Sequence, residues 1–274
     1  SDASAVVTEY ANPTGNDPAG SWYKGRRVGE IWGYRVDGII QTQAEADQYN
    51  STYNTSYFTT KPWEPGDLKF RDLNGDKNIN NSKNVLGDMG DVEVIGNTTP
   101  RYQYTINGMV SWKGLSLSLM FQGVGKRDWN PAGNIYFWGS GPYAQVTVFK
   151  EHLDYWTKDN PNAYYPRPYI NTAGAVGAHS AKTLRHTTDR YLQSAAYCRL
   201  KNITLSYILP KHLVKKANLE QVRVFFSGEN LLTFTKLKGM FDPEGVFTQN
   251  DYNKEGGKNY PMNKVVSFGL TVNL

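Results

Sequence analysis

The clearest candidate for a functional site in this sequence is a stretch in which every second side chain carries an oxygen ligand. The candidate calcium ligands are Asp72, Asn74, Asp76, Asn78 and Asn80. Oxygens at the first, third and fifth positions of a loop, with a hydrophobic residue at the eighth, are typical of calcium sites, where the ion takes about six to eight oxygen ligands. Lys77 and Lys83 stand where such loops usually have glycine and an acidic ligand. An Asx-rich turn that closes itself by side-chain hydrogen bonds is therefore the alternative.

Aromatic residues downstream are the candidate ligand contacts. The predicted substrate-binding residues are Trp129, Tyr136, Phe137, Trp138 and Trp156. Aromatic rings stack on sugars and supply contact area at low entropic cost. The alternative is that these rings pack the loops against neighbouring segments. For Trp156 the alternative is a turn fixed by Pro161 and Pro166.

Other chemistry-bearing residues show no recognisable pattern. The four histidines lack metal-ligand spacing, and no nucleophile or phosphate-loop motif is present. The single Cys198 excludes an intrachain disulfide. The basic run at 211–216 lacks the aromatic platform of single-strand binders, so no nucleic-acid partner is expected. We predict that the chain is not an enzyme and needs no cofactor other than the candidate calcium. The alternative that two loop carboxylates form the catalytic pair of a glycosidase stays open.

Composition favours strands over helices. Hydrophobic residues make up 39% of the 274 residues and aromatic residues 14%, with 26 glycines and 13 prolines. This mixture is typical of strands joined by turns and ordered loops. The sequence has no apolar run of about 18 residues, which excludes a transmembrane helix. A membrane β-barrel is not excluded, since its strands present lipid-facing residues only at alternate positions. No signal peptide is predicted at the N-terminus.

Two consecutive segments carry the strongest strand signal. In 101–112 (RYQYTINGMVSW) and 115–126 (LSLSLMFQGVGK) apolar and polar residues alternate on both sides of the pair Lys113-Gly114. Each run is about a dozen residues long, whereas soluble strands average about five or six. A membrane-spanning strand needs about 9–11 residues. The final residues, 264–274, repeat the alternation up to Leu274.

Three further segments complete a set of six predicted strands. They are 27–37, 196–209 with a bulge near Lys201-Asn202, and 220–235. The resulting connections are short at one end of the strands and long at the other. Outer-membrane barrels have this arrangement of short periplasmic turns and long outer loops. Because a filled barrel takes at least about eight strands, six strands predict that others come from elsewhere in a longer protein.

Several segments resemble the SusC/RagA-like family of TonB-dependent outer-membrane transporters of Bacteroidota. They occur in family order across nearly the whole chain. The segments are GEIWGYRVDGII (29–40), PGDLKFRDLNGDKNIN (65–80), IGNTTPRYQYTING (95–108), DYWTKDNPNAYYPRP (154–168), YLQSAAYCRLKNITLSYILP (191–210), SGENLLTFTKLKGMFDPEG (227–245) and the terminal YPMNKVVSFGLTVNL. The family usually ends in an aromatic residue, and Leu274 departs from that pattern.

The resemblance implies an all-β fold: an antiparallel transmembrane barrel segment with long extracellular loops. It implies that residues 1–274 are the C-terminal portion of a barrel of about 22 strands, with the plug domain and earlier strands absent. The implied function is TonB-dependent import of oligosaccharides or peptides across the outer membrane. The implied partners are a SusD-like surface lipoprotein, TonB (through the missing N-terminal region) and outer-membrane lipid. A secreted glycan-binding β-sandwich is the main alternative.

Overall fold

A computed structural model describes residues 18, 23, 25–131, 149–169, 182–237, 239, 241–246 and 262–274. The strands in this part of the chain are β1 (Glu30–Tyr34), β2 (Val36–Ile39), β3 (Leu68–Phe70), β4 (Val92–Asn97), β5 (Arg101–Trp112), β6 (Leu115–Lys126), β7 (Asp128–Trp129), β8 (Gln193–Ser194), β9 (Tyr197–Ile208), β10 (Gln221–Thr235) and β11 (Val265–Asn273). The α-helices are α1 (Gln43–Thr52) and α2 (Lys211–Val214). Short 3-10 turns cover Lys150–Leu153, Asp189–Tyr191 and Lys215–Ala217. Across the described residues, no helix is both long and apolar enough to span a membrane.

The chain divides into two compact units. The loop unit contains the described residues up to Thr98 and those from Trp129 to Leu192. The sheet unit contains the described residues of Thr99–Asp128, Gln193–Val246 and 262–274.

One antiparallel sheet forms the sheet unit. Its five described strands follow the order β11-β10-β9-β6-β5. Strands β5, β6 and β9 each have 12 residues, β10 has 15 and β11 has 9. The predicted long strands at 101–112, 115–126, 196–209, 220–235 and 264–274 are thus confirmed to within one or two residues at each end. β5 and β11 are the edges of this open sheet.

Alternate strand directions place the connections at two ends of the sheet. The turn at Lys113-Gly114 and the connection 209–220 lie at one end, which we call the short-turn end. The connections 127–196 and 236–264 leave from the other end. Lys113 and Gly114 both have positive φ, 47° and 88°. Two positive φ angles are the signature of a type I′ hairpin turn, which suits the twist of the strands it joins.

A β-bulge in β9 accounts for the change of phase predicted near Lys201. Phe121 of β6 pairs with Leu200, and Met120 pairs with Asn202. Lys201 is therefore the additional residue, and it brings the apolar positions on either side of it to the same face. The bulge is thus confirmed.

The segment 27–37 does not supply a sixth long strand. It contains β1 and the start of β2, which have 5 and 4 residues. β1 pairs with β4, and β2 pairs with β3, in separate two-stranded sheets. The expectation of about six long strands is therefore wrong for the described residues, because partners for this segment lie within the loop unit. β1 also carries a register shift between Ile31 and Trp32.

The loop unit has its own hydrophobic core. Trp63, Leu68 and Phe70 are at most 1% exposed. Thr42 caps the N-terminus of helix α1, and its hydroxyl accepts a hydrogen bond from the Glu45 backbone amide at 3.2 Å. Such an N-cap satisfies a donor that the first helical turn leaves unpaired. The segment preceding β5 is thus an ordered structure, although the sequence indicated only a long loop.

Candidate functional site

One face of the five-stranded sheet is apolar along its whole width. Cross-strand pairing brings together every second residue of each strand. This apolar face consists of Tyr104, Ile106, Gly108, Val110, Trp112, Leu115, Leu117, Leu119, Phe121, Gly123, Cys198, Leu200, Ile203, Leu205, Tyr207, Val222, Val224, Phe226, Gly228, Leu232, Phe234, Val266, Phe268, Leu270 and Val272.

The opposite face is mainly polar. It consists of Gln103, Thr105, Asn107, Met109, Ser111, Ser116, Ser118, Met120, Gln122, Val124, Tyr197, Arg199, Asn202, Thr204, Ser206, Ile208, Gln221, Arg223, Phe225, Ser227, Glu229, Thr233, Thr235, Val265, Ser267, Gly269, Thr271 and Asn273. Side chains bond across strands on this polar face. The Ser111 and Ser116 hydroxyls lie 2.8 Å apart, and Arg223 donates to Ser206 at 3.1 Å.

The apolar face is exposed where a soluble protein would bury it. Phe268 is 80% exposed, Trp112 68% and Leu270 62%. Contiguous apolar surface of this extent marks a site that contacts protein or membrane. Residues 101–126 and 265–273 therefore do not enclose a hydrophobic core of their own. The arrangement suits a sheet with hydrocarbon on one side and water on the other.

A group of ion pairs, which we call the β9 ion cluster, lies on the sheet unit next to the long connections. Arg199 is 3% exposed and donates to both carboxylate oxygens of Asp242, at 2.8 and 2.9 Å. Glu244 lies 3.0 Å from Arg199 and 2.9 Å from Lys201. Burial opposes ionisation of Asp242, but hydrogen bonds from the backbone amides of Glu244 and Met262 and from Arg199 hold its pKa below the ordinary value. The cluster fixes the segment 242–246 to β9, because Nη2 of Arg199 bonds both carboxylate oxygens of Asp242 while Nη1 faces Glu244.

The candidate calcium loop is closed by its own hydrogen bonds. Asp72 accepts from the Gly75 amide at 2.7 Å and from the Lys77 amide at 2.9 Å. Asn74 accepts from the Asp76 amide at 2.9 Å. Asp76 in turn accepts from the amide of Asn78 at 2.7 Å. These are the contacts of successive Asx turns.

Two further features bear on whether the loop fits calcium. Lys77 has a positive φ of 62°, and Lys83 pairs with Asp88 at 3.2 Å. Among the described residues, no group of three or more His, Cys, Asp or Glu side chains is placed to hold a metal ion. The alternating oxygens supply ligands of the right kind, and the lysines replace two positions that calcium loops normally use. Calcium binding stays a prediction.

Asp91 connects the two ends of this loop. Its carboxylate is 0% exposed and accepts from the Leu73 amide at 2.7 Å and from the Asn80 amide at 2.9 Å. Burial raises the pKa of Asp91, and the amide hydrogen bonds work in the opposite direction. No sequence pattern pointed to Asp91, because it lies beyond the alternating stretch.

The predicted ligand aromatics lie in different surroundings. Trp129 is 3% exposed and Trp156 is 7% exposed. The Trp156 indole donates to the side chain of Gln41 at 2.8 Å, and its ring lies over Gly66, where a Cβ would come within 2.6 Å. The predicted cluster partners Tyr136, Phe137 and Trp138 lie outside the described residues. A substrate role for these five residues stays a prediction.

A fully buried ion pair in the loop unit was not indicated by the sequence. Lys182 and Asp67 are both 0% exposed, and their charged atoms lie 2.8 Å apart. Lys182 also donates to the Pro62 carbonyl at 2.7 Å, and the Tyr169 hydroxyl donates to Asp67. Burial raises the pKa of Asp67 against the opposing effect of Lys182. The pair joins distant parts of the loop unit, and no spacing rule relates such positions.

The chain is similar in sequence to two curated bacterial proteins. No family model matches it. It is 29% identical over 257 residues to TonB-dependent receptor P3 of Formosa agariphila, a match that covers 91% of this chain and 22% of that protein. It is 28% identical over 217 residues to TonB-dependent receptor P26 of the same organism, covering 77% and 20%. The chain thus spans about a fifth of the length of these curated relatives.

Solved structures agree on the fold. The RagAB peptide importer in its open-open state superposes with a TM-score of 0.57 at 23% identity, covering 93% of this chain and 23% of that one. Its closed-closed state gives 0.59 at 22% identity, covering 93% and 24%. The chain is related to the SusC/RagA-like TonB-dependent transporters. The resemblance seen in the sequence is thereby confirmed for the part of those proteins that this chain covers.

Proposed function

We propose that this chain contributes strands and outer loops to a TonB-dependent outer-membrane importer of oligosaccharides or peptides. The apolar face of the sheet would lie against lipid hydrocarbon, and the polar face would line a water-filled interior. The relatives named as TonB-dependent receptors and a peptide importer support this proposal.

The separation of the two faces is the observation that carries the proposal. β-strands cross a bilayer only when all backbone groups are paired and lipid-facing side chains are apolar. All five strands of the sheet place most of their apolar residues on the same face. Their lengths of 9 to 15 residues reach or exceed the span of about 9–11 that a tilted membrane strand needs.

In the complete protein we place this chain in the C-terminal portion of a barrel of about 22 strands. The plug domain and the region that contacts TonB would come from other parts of the polypeptide. The long connections at one end of the sheet would face outward, where a SusD-like lipoprotein could contact them. The short-turn end would then face the periplasm, with Tyr102 and Trp112 at the two ends of β5 in the interfacial aromatic belts.

The secreted β-sandwich has less support. A sandwich needs a second sheet packed about 10 Å from the first over its apolar face. In the described part of the chain, the apolar residues of β5 and β11 are exposed instead. No catalytic role is proposed, and the relatives carry the names of receptors and an importer.

Growth of a bacterium carrying the complete protein tests the proposal. Deleting the gene should abolish growth on one class of oligosaccharide or peptide as sole nutrient while growth on the corresponding monomer is retained. Deletion of TonB should produce the same defect. A deletion strain that grows normally on every oligomer tested, or a protein recovered as a soluble secreted species, would refute the importer.

A further inference from the structure

A cleft in the loop unit has the size of a ligand site. It lies between the C-terminal end of α1, the segment 53–62 and residues 76–78 of the candidate calcium loop. Its volume is about 600 Å³. Sites for small ligands generally measure about 300–1,000 Å³.

Hydrogen bonds fix the walls of this cleft. At one end, Asn50 exchanges two bonds with the backbone of the fully buried Trp63, at 2.8 and 2.9 Å. At the other, the Asn54 amide donates to the Lys77 carbonyl at 2.8 Å, and the Asn54 side chain donates to Asn78 at 3.0 Å. The alternating Asx stretch thus forms one wall of a preformed cleft, and preorganisation lowers the cost of binding.

The lining contains several side chains whose donors and acceptors are available to a ligand. The residues that line the cleft include Thr55, Ser56 and Thr60, which carry hydroxyls, and Lys61 and Lys77, which carry ammonium groups. Within the described residues, these side chains make no hydrogen bond or ion pair. Hydroxyls both donate and accept, and ammonium groups only donate. A ligand rich in hydroxyl groups can satisfy such a mixture.

The charges and the few apolar groups of the cleft lining limit the class of ligand that it can bind. The lining contains Asp76 and the C-terminal end of α1 as well as the two lysines, so neither sign of charge dominates. Peptides are usually captured by a free strand edge or by apolar side-chain pockets. The single aromatic ring in the cleft lining belongs to Tyr53, whose ring centroid lies 5.0 Å from that of Tyr49. A fixed tyrosine ring beside hydroxyl and amide groups is suited to a sugar ring.

We propose that this cleft binds a segment of a neutral oligosaccharide. The inference rests on the proposed import function and selects oligosaccharide over peptide as the class of substrate that this site contacts.

Binding measurements on the complete purified protein in detergent test the inference. The probes are hexasaccharides of α-1,4-glucan, β-1,3-glucan and β-1,4-mannan, and a pool of unrelated decapeptides, followed by saturation-transfer NMR and calorimetry. Thr60→Trp fills the cleft, and the double variant Lys61→Ala/Lys77→Ala removes exposed donors with little risk to folding. Lys158→Ala changes an exposed lysine of the same unit outside the cleft and is the matched control.

At least one hexasaccharide should bind, and both cleft variants should weaken it about tenfold or more, since hydrogen bonds to charged groups are among the stronger ones. The Lys158→Ala control should bind as the wild type does. The proposal is overturned if no hexasaccharide binds, if only peptides bind, or if the double variant retains full affinity. If growth still depends on TonB when one of these binding results is obtained, the import function stands. Only the assignment of the cleft as an oligosaccharide site is then refuted.

Discussion

At the scale of single residues, His186 shows how the loop unit depends on a neutral imidazole. Its ring lies 4.6 Å from that of Phe58 and 5.7 Å from that of Tyr34 in edge-on contacts. Burial, together with the nearby charge of Arg185, lowers the pKa of His186 from 6.5 to about 4. The unfolded chain therefore takes up a proton at a higher pH than the folded one.

Acid should loosen the loop unit through this residue. Stability contributed by neutral His186 is complete above pH 6.5 and is lost as pH falls toward 4. At pH 5 the loss is about 1 to 2 kcal/mol. Hydrogen exchange of peptides around Phe58 should show this acid-dependent loss in the wild type and not in His186→Phe, when both are compared at the same pH. An equal acid response in the two proteins would contradict the assignment.

A second prediction at this scale concerns the stability of the candidate calcium loop without metal. Because its own amides already engage Asp72, Asn74 and Asp76, we expect the loop to hold its shape without metal. Adding EGTA to the complete protein should leave its melting temperature unchanged, and Asp72→Ala should lower it in EGTA and in millimolar calcium alike. A melting temperature that rises with calcium in the wild type but not in Asp72→Ala would instead establish a metal site.

At the scale of elements, the long strands could be predicted and the loop unit could not. β5 and β6 carry a strong alternation of apolar and polar residues on both sides of Lys113-Gly114, and that pattern depends only on neighbours in sequence. The core around Trp63 depends on contacts between distant segments, and Lys182 finds its partners across 120 residues of chain. Helix α1 did carry a local signal, since Thr42 followed by Glu45 is a capping-box pair.

The two faces of β11 should respond differently to the same charge. Phe268 lies on the apolar face, and its neighbour Ser267 lies on the polar face opposite Ser227. An arginine in the lipid-facing position costs about 2–4 kcal/mol near the middle of a bilayer. Phe268→Arg should therefore reduce the amount of heat-modifiable protein in the outer-membrane fraction, whereas Ser267→Arg should assemble normally. Equal damage from both variants would contradict the assignment of the faces.

At the scale of the whole molecule, the sheet is incomplete without further strands. β5 and β11 are its edges, so each has one side whose backbone N–H and C=O groups are unpaired within the described sheet. In hydrocarbon each unpaired group costs several kcal/mol, which is why membrane sheets close into barrels. The relatives are about four times as long as this chain and so have ample sequence for additional strands.

Residues 1–274 expressed alone behind a signal sequence should therefore fail to insert as a monomer. We expect them to be degraded in the periplasm or to aggregate, because insertion would expose both edges of the sheet to lipid. The complete protein, prepared in parallel, should run as a heat-modifiable species in the outer-membrane fraction. Cross-linking distinguishes a single inserted chain from an assembly in which several copies pair the edge strands of their sheets. A monomeric, heat-modifiable, protease-resistant fragment in that membrane would show that five strands can satisfy their own edges, and the barrel assignment would then have no basis.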